Sequence, residues 1–262
     1  MNPGEALRLL REDPEEAFFN ASFDFDESSV RSTVREIYGG IVNMELQPVG
    51  PRAEENTFVF RLSQSGEVTD SVTPIYYFPT IGASDGGVGT CVVPAEAPVG
   101  TIAVSGGMNG CSFWAIRSKD NHSFLFAHDY NGSYLGSEDR DPNIFIRRVN
   151  ELGIVDVDDL TDANTACRID EDRYYIDQDN QKYEALLNKR LEDFHLEYPI
   201  NRMPYFIPYI IKRETCWEVY YSGIELAKDR KNNAAYRRIH GTVLGGNVYK
   251  AGYFIMKQDN NA

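Results

Sequence analysis

Cys111-Ser112-Phe113-Trp114-Ala115-Ile116-Arg117, then Ser118-Lys119-Asp120-Asn121-His122, then Ser123-Phe124-Leu125-Phe126-Ala127-His128 is the stretch on which the reading of this chain turns. Ser112–Arg117 and Ser123–His128 are short apolar runs rich in aromatic and β-branched residues, and the polar segment between them reads as a tip, so an antiparallel hairpin is predicted. With Lys119 and Asp120 as the turn, Cys111 falls opposite His128, Phe113 opposite Phe126 and Ala115 opposite Phe124. Directly opposed Cβ atoms lie about 4.5–5.5 Å apart, close enough for a thiol and an imidazole to interact. A cysteine becomes an effective nucleophile when a neighbouring base favours its thiolate. The tip holds no Asn-Gly or Asp-Gly pair to pin the turn, and a slip of one residue would send the two side chains to opposite faces.

Upstream, Val99 to Val104 reads as a strand running into Ser105-Gly106-Gly107-Met108-Asn109-Gly110. Glycines here let the backbone turn sharply and let a substrate approach the main chain. Backbone N–H groups around Asn109, Gly110 and Cys111 are the candidate oxyanion and substrate-binding donors. Ser105, at the strand end, is placed to orient His128 through its carbonyl or hydroxyl. Asp129, the next residue on an extended segment, points away from His128. His122 sits at the tip, about 20 Å of strand from Cys111 at ~3.3 Å per residue. His195 and His240 reach the cysteine only through tertiary folding. Cys91, Cys167 and Cys216 read as small buried hydrophobes.

Strands are also expected around Ile37-Tyr38, Ile41-Val42, Thr57–Phe60, Pro74–Phe78, Tyr205–Lys212, Cys216–Tyr221 and Val248–Met256. Thr80 to Gly89, rich in Gly, Ser and Asp, reads as a loop. The first twenty residues read as helical, with Pro3 near one helix start and Asp13-Pro14 beginning another. Asp141 as N-cap, Pro142 as first residue and Gly153 as terminator frame a helix bearing Ile144, Phe145, Val149 and Leu152. Asp156 to Asp179 reads as an acidic surface excursion, Glu184 to Phe194 as an amphipathic helix and Gly245-Gly246 as a hairpin turn. The expectation is a single α+β domain over residues 1–262. Mostly antiparallel mixed sheets would form a β-sandwich-like core surrounded by helices, with the N-terminal helical segment, about residues 1–20, packing on it.

Composition narrows the function. The chain of 262 residues has 42% hydrophobic and 25% charged residues, the balance of an ordinary globular protein, and 16 Tyr with 14 Phe favour sheets. A net charge of −14 argues against nucleic-acid binding and against rest on an anionic membrane. Four cysteines without a C-x-x-C pair or zinc spacing suggest a reducing environment and no disulfide framework. The acidic runs Asp24-Phe25-Asp26-Glu27 and Asp156 to Asp159 lack calcium-loop spacing and read as solvated loops. Met1 to Phe19 lacks the pattern of a secretory signal. No metal and no organic cofactor is expected.

Met108-Asn109-Gly110-Cys111, a strand, a turn, a strand and His128 together resemble the toxin glutamine deamidases. These include the catalytic domain of cytotoxic necrotizing factor and the Burkholderia lethal factor, with the chemoreceptor deamidase a more distant relative. The resemblance covers about Val99 to Gly132. Asn109 stands where the family has serine, and the interval from Cys111 to His128 is longer than in the relatives. In the lethal factor a threonine six residues before the cysteine completes the site, and Ser105 occupies that offset here. The resemblance implies a Cys111–His128 dyad assisted by Ser105 that converts glutamine to glutamate on a host regulatory protein. It implies a secreted or injected bacterial toxin or effector at work in a host cytosol, and a monomer is favoured. Two alternatives stay open: another Cys–His thiol enzyme (peptidase, transglutaminase or acyltransferase), and a non-catalytic β-rich interaction protein.

Overall fold

The computed structural model describes residues 1–31, 38–48, 57–64, 67–81, 87–108, 110–130, 143–155, 160, 166–169, 196–197, 205–229, 236–240 and 253–255. Helices α1 (Pro3–Glu12) and α2 (Pro14–Asn20) each begin on a proline behind a capping side chain. Asn2 Oδ1 accepts from the Glu5 N–H at 2.8 Å and Asp13 Oδ1 from the Glu16 N–H at 3.1 Å. The cap satisfies an orphan donor of the first turn, and proline gives up an N–H that has no helical partner there. The short strand β1 (Ser22–Phe25) and helix α3 (Glu27–Arg31) follow.

The chain then lays down β2 (Gly40–Pro48), β3 (Thr57–Leu62), β4 (Val72–Phe78), β5 (Val88–Pro94), β6 (Ile102–Ser105), β7 (Ser112–Arg117) and β8 (Ser123–Asp129). After helix α4 (Asn143–Leu152) come β9 (Ala166–Ile169), β10 (Leu196–Glu197), β11 (Tyr205–Lys212), β12 (Cys216–Asp229), β13 (Tyr236–His240) and β14 (Tyr253–Ile255). These strands form two sheets. The larger has ten strands in the order β1-β3-β2-β4-β6-β11-β12-β10, with β13 and β14 also on β12; the smaller runs β5-β8-β7-β9. The pairs β1–β3 and β4–β6 are parallel and the other strand pairs antiparallel. This is the α+β fold with mostly antiparallel mixed sheets that the sequence predicts.

Strand alternation sorts the side chains into three apolar layers. Ile75, Tyr77, Ile102, Val104, Tyr209 and Tyr220 of the large sheet face α1 and α2, which supply Leu7, Leu10 and Phe18. The opposite face contributes Phe78, Ala103, Ile210, Trp217 and Val219, which pack between the sheets against Cys91, Phe113, Ala115, Phe124 and Phe126. On the far side of the small sheet, Trp114, Ile116, Leu125 and Ala127 receive Phe145 and Val149 of α4, with the Trp114 and Phe145 rings stacked at 4.7 Å. The layers are therefore helix, sheet, sheet, helix. Between the sheets, Phe78, Phe113 and Phe126 form a triangle with ring centroids 5.7, 5.9 and 6.2 Å apart. Fully burying each ring contributes about 1.5–3 kcal/mol, and Cys111 belongs to the same apolar cluster.

The hairpin β7–β8 forms, but two residues away from the expected register. Phe113 pairs with His128, Ala115 with Phe126 and Arg117 with Phe124. A two-residue turn at Lys119-Asp120 would need positive φ angles that suit Gly or Asn. The chain makes a four-residue loop instead, in which the Ser118 N–H donates to the Ser123 carbonyl at 2.9 Å and the Asn121 N–H to the Ser118 carbonyl at 3.0 Å. Only Asn121 takes a positive φ, 62°, which asparagine tolerates better than most residues. Asp120 Oδ1 accepts from Ser118 Oγ at 2.6 Å and from the His122 N–H at 3.0 Å, which ties the loop down. Because the shift is even, every side chain keeps its face.

Other differences have equally local causes. The loop expected up to Gly89 gives way to β5, whose apolar run Val88–Val93 fills the edge beside β8. The acidic excursion contains β9, which pairs with β7 through Phe113–Ile169. The strand expected from Val99 begins only at Ile102, after a turn in which the Thr101 N–H donates to the Pro98 carbonyl. Asp24 and Phe25 lie in β1 and Glu27 opens α3, so that acidic run is not a solvated loop. The expectations for Asp141, Pro142, Glu184 to Phe194 and Gly245-Gly246 fall outside the described residues.

Candidate active site

At one end of the sandwich, the parallel strands β4 and β6 of the large sheet finish side by side, with Phe78 paired to Ser105. Alternation turns Ala103 and Ser105 towards the small sheet, whereas Ile102 and Val104 face the helices. From the small sheet, β8 brings Phe124, Phe126 and His128 to the same interior. Ser105 Oγ and His128 Nδ1 meet there at 2.7 Å, both residues fully buried. Of the two ways Ser105 could orient the ring, the hydroxyl is the one used.

Cys111 lies one residue before β7, on the inter-sheet face, and is 4% exposed. The two-residue register shift makes it a diagonal neighbour of His128 rather than its direct partner. Diagonal positions lie about 7–8 Å apart along the backbone, still within reach of an imidazole. The thiol acts on the ring by charge and by a side-chain hydrogen bond. By strict hydrogen-bond geometry, however, the buried Nε2 has no partner. The thiol and the ring are in electrostatic contact. Nδ1 is thus engaged by Ser105, and the ring nitrogen left for a proton transfer is Nε2.

Electrostatics favour a protonated ring. Burial alone pulls the His128 pKa down, but the charge of Cys111, its hydrogen bond, and the carboxylates of Glu27 and Asp129 together outweigh it, and the net shift is upward from 6.5. Asp129 sits on the opposite face of β8, as expected, and acts through charge. An imidazolium beside a thiolate is the resting form that an attacking cysteine needs.

Two groups at the site were not singled out from the sequence. Thr80, just beyond β4, has its hydroxyl 3.4 Å from His128 Nδ1. The Glu27 carboxylate accepts from the Tyr77 hydroxyl at 2.9 Å and from the Thr80 N–H at 3.3 Å. Nothing in their local sequence marks them: Thr80 opens a polar stretch and Glu27 ends an acidic run. The parallel pairing of β4 with β6 sets Thr80 beside the end of β6, and the hydrogen bonds of Glu27 at the start of α3 to Tyr77 and Thr80 bring its carboxylate to the same corner.

Gly110 adopts φ 75°, the left-handed region that favours glycine, immediately before the cysteine. Asn109, the other candidate oxyanion residue, lies outside the described residues. His122 is exposed at the hairpin tip, away from Cys111. Cys91, Cys167 and Cys216 are in no disulfide; Cys91 and Cys216 are buried as expected, whereas Cys167, on β9, is only half-buried. Burial pushes Cys91 up to about 12, leaving it protonated at neutral pH. Among the described residues, no cluster of three or more His, Cys, Asp or Glu side chains could hold a metal ion.

No protein-family model matches the chain, and no curated protein is significantly similar to it in sequence.

Proposed function

We propose that this protein is a cysteine-dependent amide hydrolase of the protein-glutamine deamidase type. The observation that carries the reading is the buried arrangement in which His128 Nδ1 is held by Ser105 at 2.7 Å while the Cys111 thiol, on the same inter-sheet face, acts on the ring. Ser105 accepting from Nδ1–H leaves Nε2 free to take the thiol proton. The thiolate then attacks the side-chain carboxamide carbon of a glutamine, forming the C–S bond, with backbone donors near Gly110 facing the oxyanion. Collapse breaks the C–N bond, and the imidazolium protonates the departing ammonia. Water, deprotonated by the same nitrogen, hydrolyses the thioester to glutamate and returns the thiol. An amine in place of that water would give transglutamination.

The burial of Cys111 supports a side-chain amide over a backbone one. A glutamine carboxamide on its slender methylene stem can enter where an extended peptide backbone cannot. The resemblance of the Gly110-Cys111 to His128 segment to toxin deamidases supports the same substrate class. It also supports a bacterial effector acting on a host regulatory protein, without metal or organic cofactor.

The test is intact-mass and peptide mass spectrometry of host-cell proteins incubated with the protein. Conversion of a glutamine adds about one dalton, releases ammonia and leaves the chain uncut. Cys111→Ser and His128→Ala should abolish this, and His122→Ala should not. Iodoacetamide provides a substrate-free check. Cys111 should alkylate at a pH well below 8.5, the ordinary thiol value, with Cys91 as the unreactive internal control. Chain cleavage in place of a one-dalton gain would make the protein a peptidase. A Cys111 no more reactive than a free thiol would end the enzyme reading.

A further inference from the structure

Glu27 stands close to the proposed centre. Its carboxylate oxygen receives the Tyr77 hydroxyl from β4 and the backbone N–H of Thr80, and the Thr80 hydroxyl lies 3.4 Å from His128 Nδ1. The approach is tight. A Cβ added at Gly106 would fall 2.3 Å from Thr80 Oγ1 and 2.6 Å from the Glu27 carboxyl group. Real Cβ atoms essentially never come so near, so the missing side chain at Gly106 is what admits the carboxylate and the threonine to this corner.

We propose that Glu27 is a positioning residue for His128, holding Thr80 against the ring and supplying the negative charge on its Nδ1 side. The inference rests on the thiol-enzyme reading above, in which His128 alternates between neutral and protonated forms. A buried imidazolium with only a hydroxyl at Nδ1 is poorly compensated once its counter-ion, the Cys111 thiolate, is consumed by attack on the substrate. A fixed carboxylate on the other side keeps the protonated ring tolerable through the tetrahedral stage, until the ring delivers its proton to the departing ammonia. Glu27 acts by holding a proton where it is needed. It makes no bond to substrate. Among the described residues the charged groups that act on His128 are Cys111 and Glu27, and Asp129 by charge from the opposite face of β8, so the contribution of each can be separated by substitution.

The experiment is the titration of His128 in the full chain, followed by NMR of protein carrying 15N-labelled histidine, with the His128 signal assigned by its loss in His128→Gln. Glu27→Gln keeps an oxygen that can accept from Tyr77 and Thr80 and removes only the charge, and thermal unfolding confirms that it remains folded. The expected result is a fall in the His128 midpoint. Gly106→Ala, which crowds Thr80 and Glu27 out of place, should lower it in the same direction. An unchanged midpoint in folded Glu27→Gln overturns the proposal. The thiol reactivity of the unmutated protein is read separately with iodoacetamide. A slow, ordinary Cys111 together with a midpoint that still falls would sink the enzyme reading while leaving the coupling of Glu27 to His128 standing.

Discussion

Removing the Ser105 hydroxyl is the sharpest perturbation of the site. Ser105→Ala deletes the 2.7 Å partner of His128 Nδ1 at a fully buried position, and leaves only Thr80 Oγ1, at 3.4 Å, on that nitrogen. Leaving a buried polar group short of its partner costs about 1–3 kcal/mol, towards the upper end when the group is charged. If about 1.5–3 kcal/mol of that falls on the imidazolium–thiolate form, the reactive population drops about 10- to 150-fold, at 1.36 kcal/mol per tenfold. The assay is iodoacetamide alkylation of Cys111 at neutral pH beside urea unfolding of the same sample. Val104→Ala is the control. It lies on the same strand with its side chain on the helix-facing side, and loses about 2 kcal/mol of packing without touching the ring. Ser105→Ala should slow alkylation and Val104→Ala should not, although both lower the urea midpoint. Equal alkylation rates in Ser105→Ala and the unmutated protein would refute the orienting role of the hydroxyl.

Three further outcomes follow from the geometry. Cys111→Ser removes the strongest influence raising the His128 pKa, so burial gains weight and the ring should titrate at lower pH than in the unmutated protein, again read by histidine NMR. In the unmutated chain that raised pKa stabilises the fold fully below 6.5, the unfolded value, and the contribution is lost as pH rises through the folded value. Asn121, at φ 62°, should accept glycine with little change, whereas Asn121→Val should cost on the order of 1–3 kcal/mol in a urea melt, because a β-branched residue resists that backbone conformation. An Asn121→Val variant as stable as the original would mean that the four-residue loop is not what sets the register.

The sequence by itself determined what depends on local pattern. Alternating apolar runs identify β7 and β8, Pro3 and the Asp13-Pro14 step mark the starts of α1 and α2, and Gly110 sits where the backbone needs a positive φ. The parity of the hairpin was legible too, so Cys111 and His128 were assigned to one face even though the loop shifts the pairing by two residues. That shift was not legible, because loop length is decided by hydrogen bonds of Ser118 and Asp120 that compete closely with a shorter turn. Strands β5 and β9 carry little signal in the sequence because short strands packed against a neighbour need little propensity of their own; the edges of β8 and β7 supply the pairing. Only tertiary structure could bring Glu27, Thr80, Ser105 and His128 together. They come from a short helix, a strand end and two different sheets, and what joins them is the parallel pairing of β4 with β6 and the packing of one sheet on the other. Those are non-local choices, made by the burial of the Phe78, Phe113 and Phe126 rings and invisible in any window of the chain.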